Sequence, residues 1–517
     1  MKSRFIDSMN WLHTWAGLVV GWVLFAVFLT GTLAYFQHEI SRWMQPELPE
    51  TASSEQAILH AQQYLEQYAS DAERWTIVLP GERGMTTNLF WQPAPVINDG
   101  DQPRPRFQQI SLDGTGQPAV SRDSRGGQFF YRFHFDLHYI PVIWARWIVG
   151  FCSILMLLAL ISGVVIHKKI FKDFFTLQWS KGHKSWLDAH TLTSVLALPF
   201  HLMITYTGLV TLMFLYMSLA ISANYDNRQA FFNELGRSSE VVASGIASPL
   251  QPLGTILDDA RNQLGGANIS FINVIQPADQ ASVVELRESP TASLTAGSRL
   301  LRYSGSTAEQ LPNQTTPSAP EKVRQTLINL HAGRFAEPML RWLYFLSGLA
   351  GTAMIGSGLV LWSARRSAKA ASNTFGQQLV HSLNGATLLG LPLAIALYFW
   401  ANRLLPLQWE NRAETEIKVF FAGWLLMLIY SLVRDAKYLW REGLIILASA
   451  FLLLPGLNLL TSQHHLGNSL LSGQRVFAAV DLCFLLTGIL CLLSAGVLYH
   501  RRQTVPMAAS VIQRGKA

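Results

Sequence analysis

The sequence predicts a polytopic α-helical membrane protein of about eight spans, with two small α+β modules in its long loops. Of its 517 residues, 50% are hydrophobic and only 14% are charged, and the mean hydropathy is +0.22. Apolar runs long enough to cross a bilayer recur along the chain, separated by short basic loops and by the long loops 38–140 and 222–338. This combination excludes a soluble enzyme.

The positions of the cysteines and the net charge restrict the possible cofactors and partners of this membrane protein. Cys152, Cys483 and Cys491 lie within apolar runs and form neither a CxxC metal pair nor a CxxCH haem-attachment motif. The net charge of +7 comes from basic residues in short loops, which indicates membrane topology and not nucleic-acid binding. The sequence therefore predicts no nucleic-acid partner, and any haem would be bound non-covalently.

Eight apolar stretches are predicted to span the membrane: about 12–35, 142–166, 188–220, 341–363, 379–401, 418–433, 443–461 and 475–499. Lysine and arginine are concentrated after the even-numbered spans, at Lys168, Lys169, Lys172, Lys181, Lys184, Arg365, Arg366, Lys369, Arg434, Lys437, Arg441, Arg501 and Arg502. Because cytoplasmic loops carry the excess of basic residues, both termini are predicted to be cytoplasmic. The two long loops then lie outside.

The two long loops share one organisation. The first has a helix-like stretch over 54–68, followed by the strand-like runs WTIVLP, TTNLFWQP and PRFQQISLDGTG. The second has the helix-like TILDDARNQL, followed by SFINVIQP, ASVVELRES and RLLRYSGST. Each loop is therefore predicted to fold as a small α+β module.

The chain also contains an internal duplication of a span–module–span unit. The interval from His13 to Thr30 is 17 residues, and the interval from His190 to Thr207 is again 17. After each module a Leu-His pair precedes an Arg-Trp pair and then a Ser-Gly pair, at Arg146 and Ser162 in the first copy and at Arg341 and Ser357 in the second. The predicted domains are a first span (1–37), module 1 (38–140), a second span with a cytoplasmic loop (141–187), a third span (188–221), module 2 (222–338), a fourth span (339–366) and a C-terminal extension of four spans (367–517).

Four histidines recur in the two copies and are the main candidate ligands. His13 and His190 are predicted at the cytoplasmic ends of spans one and three, and His138 and His331 just outside spans two and four. Two histidines from facing helices are the natural axial pair for a low-spin haem iron. The alternative is that each is an interfacial hydrogen-bonding residue.

Further residues are weaker candidates for the same site. His201 lies deep in the third span without a counterpart in the first copy, and His381 opens a later span. Arg146 and Arg341, with Arg132 and Arg334, are placed to hold haem propionates beside the outer histidines. Gly17 and Gly21 would clear a strip for a porphyrin or form a helix-packing face. His134, in contrast, is predicted to be a solvated loop residue.

The segments LHTWAGLVVGW, TGTLAYFQHEI, FHFDLHYIP, ISGVVIHKKIFKDFFTLQWSKGHKSWLDAHT, LHAGRF and GSGLVLWSARR resemble the PepSY-associated transmembrane family. Its members include bacterial inner-membrane ferric-siderophore reductases. The resemblance covers about residues 8–370. It implies haem b bound by span histidines, at the positions of His13, His138, His190 and His331, and two PepSY-like modules in the periplasm.

The sequence therefore predicts an inner-membrane oxidoreductase with haem b, expected in two copies, that reduces periplasmic ferric siderophore and releases ferrous iron. No GxGxxG fingerprint is present, so the electron donor is expected to be a separate cytoplasmic protein or a quinol. No catalytic side chain beyond the haem is predicted, membrane lipid surrounds the spans, and a homo-oligomer is left open. The alternatives are a non-enzymatic module that displays PepSY units to peptidases, and a siderophore or metal permease.

Overall fold

The computed structural model describes residues 2–48, 53–81, 83–84, 86–93, 107–167, 183–227, 230–232, 241–289, 291, 293–295, 299–312, 319–367 and 374–514. The chain divides into two compact units. The first consists of Met1–Pro46, Arg122–Thr205 and Leu343–Ala517, and the second of Glu47–Ser121 and Tyr206–Trp342.

Helices dominate the described residues. In chain order they are α1 (Lys2–Ala34), α2 (Gln37–Met44), α3 (Ser54–Tyr68), α4 (Gln128–Asp136), α5 (Val142–Ile166), α6 (His183–Leu196), α7 (Leu198–Thr211), α8 (Met213–Tyr216), α9 (Ser218–Asn224), α10 (Leu253–Gln263), α11 (Ala319–Ala332), α12 (Pro338–Ser367), α13 (Phe375–Leu388), α14 (Gly390–Leu404), α15 (Arg412–Val433), α16 (Ala436–Leu452), α17 (Leu454–Thr461), α18 (Leu466–Leu471) and α19 (Arg475–Arg514). The strands are β1 (Ala72–Val78), β2 (Thr87–Pro93), β3 (Gln108–Leu112), β4 (Ile269–Ile275), β5 (Val283–Glu288) and β6 (Leu300–Ser304).

Seven helices of the described residues are long and apolar enough to cross a membrane, and a bent pair raises the number to eight. The chain is thus a mostly helical, multi-pass membrane protein. The prediction of one continuous span over 188–220 is corrected, because α6 and α7 meet at an angle of 68°. Pro199 explains the bend, since it has no N–H to donate to the carbonyl one turn earlier.

The second unit contains a six-stranded antiparallel sheet in the order β3-β2-β1-β4-β5-β6. Each long loop contributes three strands and the helix that packs on them, α3 or α10, at the places where the sequence predicted them. The sequence did not predict that β1 and β4 pair, with Thr76 opposite Asn273. Helices α3 and α10 share one hydrophobic core with the sheet, centred on fully buried residues such as Leu65, Ile77 and Leu286.

The first unit is built around α1, which packs against α4, α5 and α13. Gly21 allows close contact with α12, because a Cβ at this position would lie 2.7 Å from Leu359 Cδ2. Close approach at small residues is how helices associate in a membrane, where apolar burial alone gives little driving force. One hydrophobic core extends from α1 into the C-terminal helices, including Phe399, Phe420 and Phe484.

A buried polar cluster joins the C-terminal helices to one another and to α2. Arg412 and Glu416 form an ion pair in which both side chains are fully buried. Arg403 stacks 3.8 Å from the ring centroid of Trp43 and donates to Asn458 Oδ1 at 3.0 Å. Asp481 accepts hydrogen bonds from Trp43 Nε1 on α2 and from Asn458 Nδ2 on α17.

The pairing of β1 with β4 predicts a specific cross-link. In a variant without the native cysteines, Thr76→Cys with Asn273→Cys should form a disulfide on mild oxidation, because directly opposed Cβ atoms lie about 4.5–5.5 Å apart. Thr76→Cys with Glu285→Cys is the control, since Glu285 lies on β5, one strand further away. Mass spectrometry of non-reduced peptides measures both. Equal cross-linking of the two pairs would contradict the sheet order.

The buried ion pair predicts an unequal pair of stability losses. Arg412→Ala should destabilise the detergent-solubilised protein by about 3–5 kcal/mol, because it leaves the Glu416 carboxylate buried and unpaired. Arg434→Ala breaks the partly exposed pair with Glu442 and should cost about 1 kcal/mol or less. Thermal unfolding measures both. Removing Glu416 together with Arg412 should recover part of the loss, and similar losses for both single variants would contradict the assignment.

Candidate functional site

The first unit contains a cavity of about 650 Å³ where four helices end. It is lined by the N-terminal part of α1, the C-terminal ends of α5 and α12, and the first half of α6. Its walls are largely apolar, with residues such as Leu24, Met156 and Ile355. A concave, mostly apolar cavity with a few convergent polar groups is the usual form of a cofactor or small-molecule site.

His13 and His190 meet in this cavity, as the sequence predicted for the inner histidine pair. Their ring centroids lie 6.2 Å apart, with an angle of 70° between the ring planes. They come from α1 and α6, which are 177 positions apart in the chain at these residues. The pair is the only contact of two imidazole rings observed among the described residues.

Each of these two rings is held by the helix behind it through the same set of contacts. His13 Nδ1 lies 2.9 Å from Ala159 O and 3.4 Å from Ser162 Oγ on α5. His190 Nδ1 lies 2.8 Å from Met354 O and 3.5 Å from Ser357 Oγ on α12. Because a carbonyl oxygen only accepts, Nδ1 carries the proton in both rings. Nε2 therefore keeps its lone pair.

Glycines allow both rings to lie close to their supporting helices. A Cβ at Gly163 would lie 3.1 Å from His13 Cε1, and a Cβ at Gly358 would lie 3.1 Å from His190 Cε1. Each glycine directly follows the serine of the same set. Matching Ser-Gly pairs thus place the two histidines. In the sequence these pairs were evidence for the repeat, and no role at the site was predicted for them.

The pair fits a metal ion bound between two imidazoles. Two rings that bind one metal from opposite sides through bonds of about 2.0–2.1 Å have centroids roughly 6 Å apart. In the part of the chain that the structure describes, the hydrogen bonds observed for both rings involve Nδ1 and not Nε2. A ligating histidine whose other nitrogen donates to a backbone carbonyl is the usual arrangement at metal sites. Gly17 lines the same cavity with no atom within 4 Å of its Cβ position, whereas Gly21 is used in helix packing.

His134 is the functional candidate that sequence reasoning missed. It lies on α4, not in a solvated loop, and its Nδ1 is 2.6 Å from Val27 O. A Cβ at Gly31 would contact its ring. Burial lowers the pKa of His134, partly offset by the bond to the Val27 carbonyl, so the ring is neutral at pH 7.

His331 has a similar environment in the second unit. It lies on α11, where its Nδ1 is 3.2 Å from Thr207 Oγ1 and its Cε1 is 2.9 Å from the Cβ position of Gly208. Thr207 and Gly208 are the residues that match Thr30 and Gly31 in the repeat predicted from the sequence. Contact with the glycine of this Thr-Gly motif is therefore shared by His331 and His134.

His138, the sequence-predicted counterpart of His331, has a different environment. It follows α4 in a turn in which Leu137 and His138 both have positive φ, at 50° and 48°. Its ring stacks on Phe421 with centroids 5.6 Å apart. Burial lowers the pKa of His138, and the neighbouring Glu414 partly offsets this. Burial and the hydrogen bond to Glu414 raise the pKa of Tyr139 to about 12.

The remaining candidate histidines lie apart from the cavity. His201 is fully buried beside Phe28 and Phe200. His381 lies on α13 with its ring 6.2 Å from Trp440. The cavity lining includes neither residue.

Two of the four arginines predicted to hold propionates, Arg146 and Arg341, have other contacts. Arg146 Nε donates to Asp136 Oδ1 at 2.9 Å, and its guanidinium lies 5.4 Å from the ring centroid of Phe135. Arg341 Nη2 donates to Ala336 O at 2.9 Å. The charge of Arg146 is thus compensated within the protein.

Seven or eight apolar helices and a helix-borne histidine pair define a multi-pass membrane protein with a polar site inside its helical unit. The sequence profile of the PepSY-associated TM region matches residues 10–365, well over half of the 517-residue chain. The chain belongs to this family, as its motifs predicted. The comparison with curated proteins gave no match.

Proposed function

We propose that the protein is a haem b-containing oxidoreductase of the bacterial inner membrane that passes electrons to ferric siderophore in the periplasm. The observation that supports the haem is the pair His13 and His190, with ring centroids 6.2 Å apart in an apolar cavity. Both have Nδ1 bound to a carbonyl and Nε2 available as a ligand. The haem would supply reversible one-electron transfer.

The residues of the chain set the conditions for that transfer. The carbonyls of Ala159 and Met354 fix the tautomer and orientation of the two rings and increase their basicity as ligands. A haem held by His13 and His190 would have imidazole ligands to its iron, which would favour electron transfer over binding of oxygen. The apolar walls exclude water from the faces of the ligand.

We infer that the matching contacts reflect an internal duplication of the span–module–span unit, with two PepSY-like modules that join in one sheet. His13 with Ala159, Ser162 and Gly163 corresponds to His190 with Met354, Ser357 and Gly358. A second haem needs further ligands. His134 and His331 are each a candidate by their own environment, because the ring of each lies against a glycine, Gly31 for His134 and Gly208 for His331, and His138 becomes the weaker one.

The proposed substrate follows from the family resemblance and from iron chemistry. One electron reduces ferric to ferrous iron, which an oxygen chelator holds far less tightly, so the metal is released. The donor would be a cytoplasmic protein or a quinol. The termini would be cytoplasmic and the sheet periplasmic, by the positive-inside rule. The supporting lysines of the loop 167–187 are Lys168, Lys169, Lys172 and Lys181, outside the described residues, and Lys184.

The purified protein is expected to show a reducible haem spectrum that depends on the inner pair. His190→Ala should abolish one haem population, while His190→Met should keep it with an altered spectrum, since methionine is an alternative axial ligand. Gly358→Ala should disturb the same band, because its Cβ would lie 3.1 Å from His190 Cε1. Gly496→Ala is the control, with nothing within 4 Å of its Cβ position.

Size-exclusion profiles of the variants separate loss of haem from loss of folding. A folded, colourless wild-type protein would contradict the haem assignment and favour the display or permease alternatives. Haem bands that survive His13→Ala and His190→Ala unchanged would contradict the ligand assignment alone. Variants of His134, His138 and His331, compared by the same spectrum, decide which histidines hold a second haem.

The substrate is tested on the full chain after reduction by dithionite and removal of the excess. Mixing with a ferric hydroxamate siderophore should reoxidise the protein rapidly and deliver ferrous iron to a trapping dye. The gallium complex of the same siderophore is the matched control, because Ga³⁺ has a similar size and charge but accepts no electron under these conditions. Reoxidation no faster with the ferric complex than with the gallium complex would remove the reductase assignment.

A further inference from the structure

One end of the cavity carries concentrated positive charge. Arg365 and Arg366, at the C-terminal end of α12, line it together with His167 at the end of α5. The described lining contains no aspartate or glutamate. The end of the cavity away from the helix interior is thus cationic, and the walls further in are apolar.

Arg366 is held in place by aromatic rings. Its guanidinium lies 3.9 Å from the ring centroid of Trp362 and 5.8 Å from that of Trp15. Both tryptophans line the same cavity. Stacking on an aromatic face occupies the flat side of a guanidinium and leaves its N–H edge available for a planar, bidentate partner such as a carboxylate.

This distribution of charge indicates which kind of ligand the cavity can bind. The cavity suits a flat, apolar body with an anionic edge, in which the body contacts the walls and the acidic groups meet the arginines. We propose that Arg365 and Arg366 bind the propionate carboxylates of a haem held by His13 and His190. The propionates then point towards the ends of α5 and α12, and Trp362 and Trp15 position Arg366. This inference rests on the proposed haem function and adds the orientation of the haem.

Two properties of the bound haem should depend on these arginines. Charge-assisted hydrogen bonds to a carboxylate are strong, so losing both arginines should weaken haem binding by tenfold or more. Their positive charges also favour the reduced haem, which carries one more electron than the oxidised form, so losing them should lower its reduction potential. The second effect distinguishes a charge contact from a structural role.

The test compares Arg365→Gln/Arg366→Gln with the wild type by haem titration of haem-depleted protein and by redox titration of the α-band. The double variant should bind haem at least tenfold more weakly and titrate at a lower potential. Arg441→Gln is the control, because Arg441 stacks on Tyr499 and is not part of the cavity lining. It should match the wild type in both measurements.

Haem dimethyl ester, which has no free carboxylates, provides a second measurement independent of any folding defect. The wild type should prefer haem over the ester by tenfold or more, and the double variant should not discriminate between them. Equal preference in both proteins, or an unchanged potential in the double variant, would overturn the proposed contact while leaving the histidine ligands intact. Wild-type protein that binds neither compound would overturn the haem function itself.

Discussion

The hydrogen bond from a histidine Nδ1 to a carbonyl of the adjacent helix is the interaction on which the candidate site depends. A polar ring inside a span is costly unless it is paired, and the helix backbone normally has no carbonyl to spare. Here α5 and α12 each offer one carbonyl, at Ala159 and Met354, next to a glycine that lets the ring approach. The same bond satisfies Nδ1 and leaves the lone pair of Nε2 available to a ligand of the cavity.

The same constraint explains the C-terminal helices, which lie beyond the match to the family. They bury Arg403, Arg412, Glu416 and Asp481, and the described hydrogen bonds and ion pairs connect these side chains with one another or with Trp43. Satisfied buried polar networks specify one packing arrangement, because any other would leave charges unpaired. The cluster therefore fixes the extension against α2, at a place separate from the histidine pair.

The sequence predicted the spans, the strands and the pairing of His13 with His190, because each has a local signature: apolar length, alternation, or a motif repeated at a fixed interval. The bend at Pro199 was also predictable, since proline cannot continue the hydrogen-bond ladder. The pairing of β1 with β4 was not, because local periodicity carries no information about which distant strand is a neighbour. His134 was missed because it lies only four residues before His138. His138 follows a leucine, as His331 does, and the sequence therefore predicted it as the counterpart of His331.

Two associations in the structure, the pairing of β1 with β4 and the contact of His13 with His190, have a common form. β1 pairs antiparallel with β4, its counterpart in the proposed second copy, and the strand order is symmetric about this pair. His13 likewise meets its counterpart His190. Contacts between equivalent elements related by a twofold axis are the rule in homodimers, where the same surface of each subunit forms the interface. The proposed duplication would place the same kind of contact within one chain. A site that needs two identical ligands on opposite sides of a metal then requires only one ligand-bearing segment per copy.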